Sequence, residues 1–274
     1  MTRIALLSDV HANLPALEAV LGALDRDDPH DAVYHLGDLV GYAPWPDEVV
    51  ALVRERGIPG VAGNYDSTVA ACHEHCGCRY EDPHQAVLSH ESYAWTLGNT
   101  SAATRAWLGS LPFRMDVRIG GGHQSGATLH LVHGNPVLNT VYWTEDRSDE
   151  FCLKMAARLG AGAGDVVAFG HTHRPWHRVV DGVHFVNTGS VGRPKDGDWR
   201  AGYVSLAFGD ADAGAAAGAG GRAGPGGVSV AFRRVAYDVA RAAAAIREST
   251  LPNEFAGYLE TGGTLSGVEA DAGR

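Results

Sequence analysis

The sequence predicts an α/β protein that contains two β-sheets. Apolar runs of strand length recur along the chain, each ending near a glycine and a polar residue; they occupy residues 4–7, 33–36, 61–62, 129–132 and 166–169. Such continuous runs are typical of parallel strands that are buried on both faces. Helical patterns alternate with the early runs, whereas short strands and turns dominate after residue 165. This change predicts a second, more antiparallel sheet in the second half.

Three segments of the first half have helical patterns. Residues 13–25 place leucines and a valine at helical spacing, and Pro15 suits a first helical turn. Residues 47–56 follow a proline and open with acidic residues, which predicts a second helix. Residues 84–111 also have a helical pattern. We expect the segment of about 70–111 to be a helical insertion that covers the site.

The second half is predicted to contain short strands at residues 166–169, 177–180, 184–187, 203–208 and 228–236. Between the last two strands, residues 210–227 consist almost entirely of Gly, Ala and Asp. This composition buries too little apolar surface to offset the entropy of ordering, so we expect a flexible loop. Helices at 239–248 and 254–260 then close a single domain of residues 1–262, and residues 263–274 form a tail.

Length, charge and hydropathy limit the possible functions. The chain of 274 residues has the length of one α/β enzyme domain. Its formal net charge of −10 argues against broad nucleic-acid binding, because such binding depends on Lys and Arg that neutralise phosphates. A small phosphorylated substrate is compatible with this charge if metal ions meet it. No signal-peptide pattern or membrane-length apolar run is evident, which predicts a cytoplasmic protein without membrane partners.

Seven side chains suited to metal binding lie at or near the ends of the apolar runs: Asp9, His11, Asp38, Asn64, His133, His171 and His173. Side chains two positions apart leave the same face of an extended segment, so Asp9 and His11 can reach one ion, as can His171 and His173. Ligand sites in open α/β sheets collect beyond the carboxyl ends of strands, where these residues are expected.

The types of these ligands indicate which metals to expect. Carboxylate, imidazole and amide oxygen ligands without a thiolate suit manganese, iron, zinc or nickel. Seven ligands are about the number that two ions require. We therefore expect two divalent ions, with manganese as the first candidate and iron, zinc or nickel as alternatives.

The ligands lie in five short motifs: Ser-Asp-Val-His-Ala-Asn at 8–13, Gly-Asp-Leu-Val-Gly at 37–41, Gly-Asn-Tyr-Asp at 63–66, Val-His-Gly-Asn at 132–135 and Gly-His-Thr-His at 170–173. In this order they resemble the calcineurin-like metallophosphoesterase superfamily, especially its small bacterial and archaeal phosphodiesterases. The resemblance extends from about residue 4 to 260. It implies a four-layer α/β/β/α sandwich of two mixed sheets flanked by helices.

The resemblance also implies the role of each ligand. One ion is expected to be held by Asp9, His11, Asp38 and His173, and the other by Asp38, Asn64, His133 and His171. Asp38 would bridge the ions, and Asp38, Asn64 and His133 are the predicted catalytic residues. The implied reaction is attack on phosphorus by a hydroxide that bridges the two metals.

Several functions remain open for such a centre. The first is a phosphodiesterase that acts on a small phosphorylated or nucleotide substrate. Alternatives are a dinucleoside polyphosphate hydrolase, a protein phosphatase and, less favoured, a non-catalytic scaffold like one retromer subunit of the superfamily. All seven ligand positions carry competent side chains, which argues against the scaffold.

Four further residues are candidate substrate contacts. Tyr65 stands where many relatives have a His that is thought to protonate the leaving group; a tyrosine with a pKa near 10 is a poor acid at neutral pH, and packing is the alternative. Ser190 and Arg193 lie in a glycine-containing segment, residues 187–195, that resembles the Asn-Pro-Gly-Ser segment of the same branch. Asn13 can line the rim of the site or cap a helix.

Three cysteines fall within seven residues, at Cys72, Cys76 and Cys78, and Cys152 stands apart. Together with His73 and His75 they can supply a structural zinc site, although Cys-Gly-Cys is not the usual zinc knuckle. A regulatory disulfide, free thiols and a part in substrate access are the other interpretations.

Overall fold

The structure is a computed structural model that describes residues 1–26, 28–79, 82–120, 126–209 and 227–264. Its strands are β1 (Thr2–Leu7), β2 (Ala32–His35), β3 (Arg114–Ile119), β4 (Ala127–Val132), β5 (Val166–Phe169), β6 (Trp176–Val180), β7 (Val183–Asn187), β8 (Ala201–Phe208) and β9 (Val228–Val235). Its helices are α1 (Leu14–Arg26), α2 (Pro46–Glu55), α3 (Asn64–Ala70), α4 (Pro83–Asn99), α5 (Ala102–Leu108), α6 (Asp149–Leu159), α7 (Val239–Glu248) and α8 (Glu254–Thr261). The predicted loop at 210–227 and tail at 263–274 lie almost wholly outside the described residues.

The strands form two mixed sheets. In the first sheet the order is β2-β1-β8-β9, with β1 parallel to β2 and antiparallel to β8. In the second sheet the order is β3-β4-β5-β7-β6, and β4, β5 and β7 run parallel. The outer strands β3 and β6 pair antiparallel with their neighbours. The prediction of two mixed sheets is confirmed.

Three hydrophobic clusters lie between the four layers of helices and sheets. Alternating side chains of β1 face opposite sides: Ile4 and Leu6 pack between the sheets, in one cluster with Leu131 of β4. Ala5 and Leu7 pack on the outer side, in a cluster that includes α1, α2, α7 and α8. A third cluster joins α6 to the outer face of the second sheet. The result is the predicted α/β/β/α sandwich, and each fully buried aliphatic side chain stabilises it by about 1.5–3 kcal/mol.

Two sequence predictions about strands are wrong. The run at 61–62 forms no strand: Gly60 makes one isolated bridge to His35, and the Ala62 amide donates to the carbonyl of Pro112. The last two predicted strands belong to the first sheet and not to the second, because β8 pairs with β1 and β9 pairs with β8. Apolar pattern alone does not specify which partner a strand finds.

The segment of about 70–111 contains α4 and α5, as its helical pattern predicts. Its role as an insertion that covers the site stays a prediction. α4 packs toward the ligand motifs through Tyr93, whose ring lies 5.7 Å from that of Tyr65. None of the helices in the described part of the chain is long and apolar enough to cross a membrane.

Candidate metal centre

All seven predicted ligands come together where the two sheets meet. Asp9 and His11 follow β1, Asp38 follows β2, His133 follows β4, His171 and His173 follow β5, and Asn64 opens α3. Parallel strands end at the same edge of a sheet, which is why residues far apart in sequence converge there. Each of the seven side chains belongs to a buried residue.

The carboxylates and imidazoles form two groups that can each hold an ion. One group is Asp9, His11 and His173, and the other is Asp38, His133 and His171; within each, the candidate ligand atoms lie within 4.8 Å of one another. The Oδ2 atom of Asp38 lies 3.8 Å from Nε2 of His11 and 3.4 Å from Nε2 of His133. Asp38 therefore lies between the two groups, as expected for a bridging ligand.

Backbone carbonyls set the orientation of three histidine rings. Nδ1 donates to a carbonyl oxygen in His11 (to Val40, 3.1 Å), His133 (to Leu36, 2.7 Å) and His173 (to Arg193, 2.6 Å). A neutral imidazole that donates from Nδ1 has only a lone pair at Nε2. These bonds therefore leave three Nε2 atoms ready to bind a metal.

The distances between ligand nitrogens fit shared ions. Nε2 of His11 and Nε2 of His173 are 3.0 Å apart, and Nε2 of His133 is 3.2 Å from Nδ1 of His171. Two nitrogens that each lie about 2.0 to 2.1 Å from one ion are at most about 4.2 Å apart. Facing lone pairs at about 3 Å repel each other unless a cation or proton lies between them. The donor set therefore fits two divalent ions.

Asn64 completes the second group. Its Oδ1 lies 3.1 Å from Nε2 of His133. Its amide nitrogen donates to the Cys76 carbonyl (3.1 Å) and to Sγ of Cys78 (3.2 Å). Because both bonds engage the nitrogen, they direct the amide oxygen toward the ligand group.

Five of the predicted ligands have left-handed backbone conformations. Their φ angles run from 50° to 68°, at Asp9, His11, Asp38, His171 and His173. Residues other than glycine rarely adopt this region, and each instance costs on the order of 1–3 kcal/mol. Such strain concentrates at functional sites, where the surrounding structure holds a side chain in a required direction.

Two glycines allow the ligand loops to approach each other closely. A side chain at Gly63 would overlap the carboxylate of Asp38, and one at Gly170 would overlap the carboxylate of Asp9 and the hydroxyl of Ser8. Asp66 bonds the same loops together, since its carboxylate accepts from the amides of Leu39 and Gly63, each at 2.9 Å. Burial and the neighbouring Asp38 raise the pKa of Asp66 to about 7.

The charges of the centre favour a cation. Burial alone would lower the pKa of His133, but the carboxylate of Asp38 raises it to about 9. Burial alone would raise the pKa of Asp9, yet His173 and the other histidines hold it well below its usual value. Burial lowers the pKa values of His11 and His171 and keeps these rings neutral, as metal ligands must be.

The predicted substrate contacts Asn13 and Ser190 are fully buried and bonded to backbone. Asn13 donates to the carbonyl of Gly192 (2.8 Å), and its oxygen accepts from the amide of Ala16 (3.2 Å), which is the helix-capping arrangement. The Ser190 hydroxyl donates to the carbonyl of Asp9 (2.7 Å) and accepts from the Arg193 amide (2.8 Å). These bonds fix the backbone that carries two of the predicted ligands.

Tyr65 and Arg193 both lie beside His11. The buried ring of Tyr65 packs 5.6 Å from that of His11, and burial raises the pKa of its phenol well above 10. This environment favours the packing interpretation over proton donation. Arg193 is 7% exposed, with its guanidinium 4.1 Å from the ring centroid of Tyr42.

None of the four cysteines, all of which the structure describes, forms a disulfide. In the described part of the chain, neither group of three or more candidate metal ligands includes a cysteine, so the zinc interpretation gains no support. The contact of Cys78 with Asn64 nevertheless places this segment at the edge of the second group. The sequence left the role of Cys78 open. It also did not identify Tyr142, whose ring stacks on that of His171 with the centroids 4.5 Å apart. No local motif marks Tyr142, because it approaches the site from a long loop.

Comparisons with known proteins agree with this geometry. A family model described as the calcineurin-like phosphoesterase superfamily domain matches residues 2–210. The crystal structure of a metallophosphoesterase from Sphaerobacter thermophilus is 31% identical, with a TM-score of 0.66, and the match covers 95% of this chain and 99% of that one. A hypothetical protein from Pyrococcus horikoshii has the same fold at 21% identity, with a TM-score of 0.73 over 96% and 99% of the two chains. An uncharacterized protein of Methanocaldococcus jannaschii is 28% identical over 217 residues, which are 73% of this chain and 80% of that protein.

Proposed function

Because the chain belongs to the calcineurin-like phosphoesterase superfamily and is therefore a metal-dependent phosphoric ester hydrolase, we propose that it is a binuclear phosphodiesterase. Its proposed substrate is a small phosphorylated or nucleotide molecule. The proposal rests chiefly on one observation: two buried ligand groups lie side by side, and the carboxylate of Asp38 in the second group also approaches His11 of the first.

We assign the ligands as follows. One ion would be held by Asp9, His11, Asp38 and His173, and the other by Asp38, Asn64, His133 and His171. When bound, two divalent ions polarise phosphoryl oxygens and lower the pKa of a water molecule. The mixed oxygen and nitrogen donors suit manganese, with iron, zinc or nickel as alternatives.

The residues of the chain supply position and charge. Asp38 keeps the two sites at a fixed separation, and its Oδ1 accepts from the amide of Tyr65 at 2.8 Å, which fixes the carboxylate. Asn64 and His133 lie together on one side of the pair, where the phosphoryl group of a substrate is expected to bind. Because their polar atoms are already oriented before substrate arrives, little reorganisation is needed in the reaction.

The buried Tyr65 supports a preference among substrates. In this chain the position carries a phenol whose pKa is raised well above 10 by burial, which makes it a poor proton donor near neutral pH. Without a general acid, the rate depends on how stable the leaving group is as an anion. We therefore expect esters of acidic alcohols and phosphates to be cleaved faster than alkyl esters.

The test is hydrolysis of bis-p-nitrophenyl phosphate and p-nitrophenyl phosphate by metal-stripped protein, with and without added manganese. The Asp38→Asn variant is compared with Asp25→Asn, which changes an exposed carboxylate that pairs with Arg56. We expect manganese-dependent cleavage that favours the diester and disappears only in Asp38→Asn. If neither ester is cleaved with any divalent ion although metal binds, the non-catalytic scaffold becomes the better interpretation.

A further inference from the structure

Three cations lie beside the first ligand group without a carboxylate partner. Arg174, Arg193 and Lys195 belong to the two segments that follow β5 and β7, and among the ion pairs of the described residues none includes them. Some arginines elsewhere do pair, for example Arg200 with Asp198 and Arg241 with Glu18. In a chain with a net charge of −10, a cluster of unpaired cations is unexpected.

Arg193 is held in an aromatic cage. Its guanidinium lies 4.1 Å from the ring centroid of Tyr42, 5.4 Å from Phe255 and 5.3 Å from Tyr258. Nε is buried without a hydrogen-bond partner. The ring of Tyr42 lies 4.8 Å from that of His11, so the cage places this charge one aromatic ring away from the metal ligands.

Lys195 and Arg174 extend the cluster along the same edge. The amide of Lys195 donates to the carbonyl of His173 (3.3 Å), and Nε of Arg174 donates to the carbonyl of Lys195 (3.0 Å). Burial and the charge of Arg193 lower the pKa of Lys195 to about 7, while Cys78 and Asp9 act in the opposite direction. The backbone of Lys195 is therefore bonded both to His173 of the first ligand group and to Arg174.

A buried guanidinium is stable only if an anion or hydrogen-bond acceptors replace the water it has lost. Aromatic faces offset part of that cost, but they do not satisfy the N–H groups. The phosphoryl group bound at the two ions would already have its charge met by them. Three further cations therefore call for a second anionic group on the same substrate.

We propose that Arg193, Lys195 and Arg174 form a second anion subsite, which binds a phosphate of the substrate next to the one that is attacked. The inference rests on the proposed function and narrows its substrate class to pyrophosphate-linked molecules such as nucleoside polyphosphates. The three cations lie within residues 2–210, which the family model matches, whereas Phe255 and Tyr258 of α8, which complete the aromatic cage, lie beyond that region.

The chemistry of such a substrate suits Tyr65. Hydrolysis of a P–O–P link adds one water: its oxygen bonds the attacked phosphorus, the bridging oxygen leaves with the second phosphate, and the protons of water pass to solvent and the phosphate products. A phosphate with a pKa near 6 leaves as a stable anion. It needs no general acid, and the cations of the subsite would stabilise its charge.

The test compares a diphosphonate with a monophosphonate in the manganese-loaded protein. Methylenediphosphonate has a P–C–P link that is not hydrolysed, and methylphosphonate lacks the second group. Binding of both is measured by calorimetry for wild type, Arg193→Met and Lys195→Met. The control is Arg241→Met, which removes an arginine that also lies over an aromatic ring (5.7 Å from Trp45) but is paired with Glu18.

We expect Arg193→Met and Lys195→Met each to weaken diphosphonate binding about 10- to 100-fold, the range for hydrogen bonds to charged groups. Monophosphonate binding should stay within about 3-fold, and Arg241→Met should bind both as wild type does. Equal loss for the two ligands, or no loss in folded variants, overturns the subsite. If Arg193→Met does not fold, Lys195→Met decides. Binding is measured without turnover, so this result stands apart from that of the ester hydrolysis test.

Discussion

The two ligand groups are built from similar side chains but are supported by different parts of the molecule. The group of Asp9, His11 and His173 is fixed by the loops that follow β1, β2, β5 and β7. The group of Asp38, His133 and His171, with Asn64, also depends on the segment that follows α3 and on the long loop after β4. The comparison teaches that similar ligand sets can differ in how firmly the fold positions them.

The first group is held by short bonds to neighbouring loops. Oδ2 of Asp9 accepts from the Ser8 hydroxyl (2.5 Å) and from the amide of His171 (3.0 Å). The rings of His11 and His173 donate to carbonyls of Val40 and Arg193. Every one of these donors and acceptors is buried.

The second group includes supports that lie outside the sheets. Asn64 is oriented by the backbone of Cys76 and by the half-buried thiol of Cys78. The ring of His171 stacks on Tyr142, which belongs to no strand or helix. We therefore expect the second ion to bind more weakly and to exchange more readily than the first.

The largest effect should come from the residue that the groups share. Asp38→Asn removes a charge from both sites while it keeps the shape of the side chain. Removal of partners that only orient metal ligands costs about 10- to 100-fold, so loss of the shared ligand should exceed about 100-fold in turnover. Bound metal, measured by mass spectrometry after dialysis, should fall in Asp38→Asn while circular dichroism stays unchanged. Full metal content with full activity would show that Asp38 does not bridge.

How far the sequence predicts this centre depends on the kind of interaction. The seven candidate ligands are predictable because short motifs place them at or near the ends of apolar runs, and the fold brings the ends of those runs together. The left-handed backbone at five of them is not predictable, since only the tertiary bonds around each loop impose it. The pairing of β8 with β1 is equally hidden, because an apolar strand fits either sheet.

The supporting residues are the least predictable part. The motifs of Asn13 and Ser190 predict contacts with the substrate, yet in the structure their polar atoms bond to the backbone. Tyr142 and Cys78 reach the centre through loops whose course no periodic pattern encodes. The aromatic cage of Arg193 joins residues more than 200 positions apart in Tyr42 and Phe255, which only the folded chain brings together.

A smaller effect should separate the two groups. Cys78→Ala removes an acceptor for the amide of Asn64, so the oxygen of this ligand is less well directed. Loss of such an orienting partner is expected to weaken the second ion by about 10-fold and to leave the first unchanged. Cys72→Ala is the matched control, because Cys72 is an exposed thiol of the same segment. Manganese titration monitored by calorimetry distinguishes the two steps, and equal weakening of both steps would contradict the comparison.

Acid should lower the free energy of unfolding through His35, the last residue of β2. His35 is 1% exposed, neither ring nitrogen has a partner, and burial lowers its pKa to about 3. Between the ordinary value of 6.5 and about 3, the unfolded chain binds a proton that the folded chain does not. The free energy of unfolding should therefore fall as the pH falls through this window, by up to about 1.4 kcal/mol per pH unit from this residue. Urea unfolding of wild type and His35→Leu across this pH window checks the prediction. The free energy of unfolding should fall less steeply with pH in the variant. An equal dependence on pH would mean that His35 takes up a proton in the folded state.

The smallest effect is expected at Tyr65, whose ring packs against His11 of the firmly held first group. If its ring only packs, Tyr65→Phe keeps the packing and should change kcat by no more than about 2-fold. If its hydroxyl instead protonates the leaving group, the loss should be about 10² to 10⁴-fold and should grow as the leaving group becomes less acidic. Phenyl and p-nitrophenyl diesters measured side by side separate these outcomes, because the loss in Tyr65→Phe differs between the two esters only if the hydroxyl acts as an acid. If Tyr65→Phe changes the cleavage of both esters equally little, the preference for leaving groups depends on the metal ions and on the cations beside them, and not on the side chain at position 65.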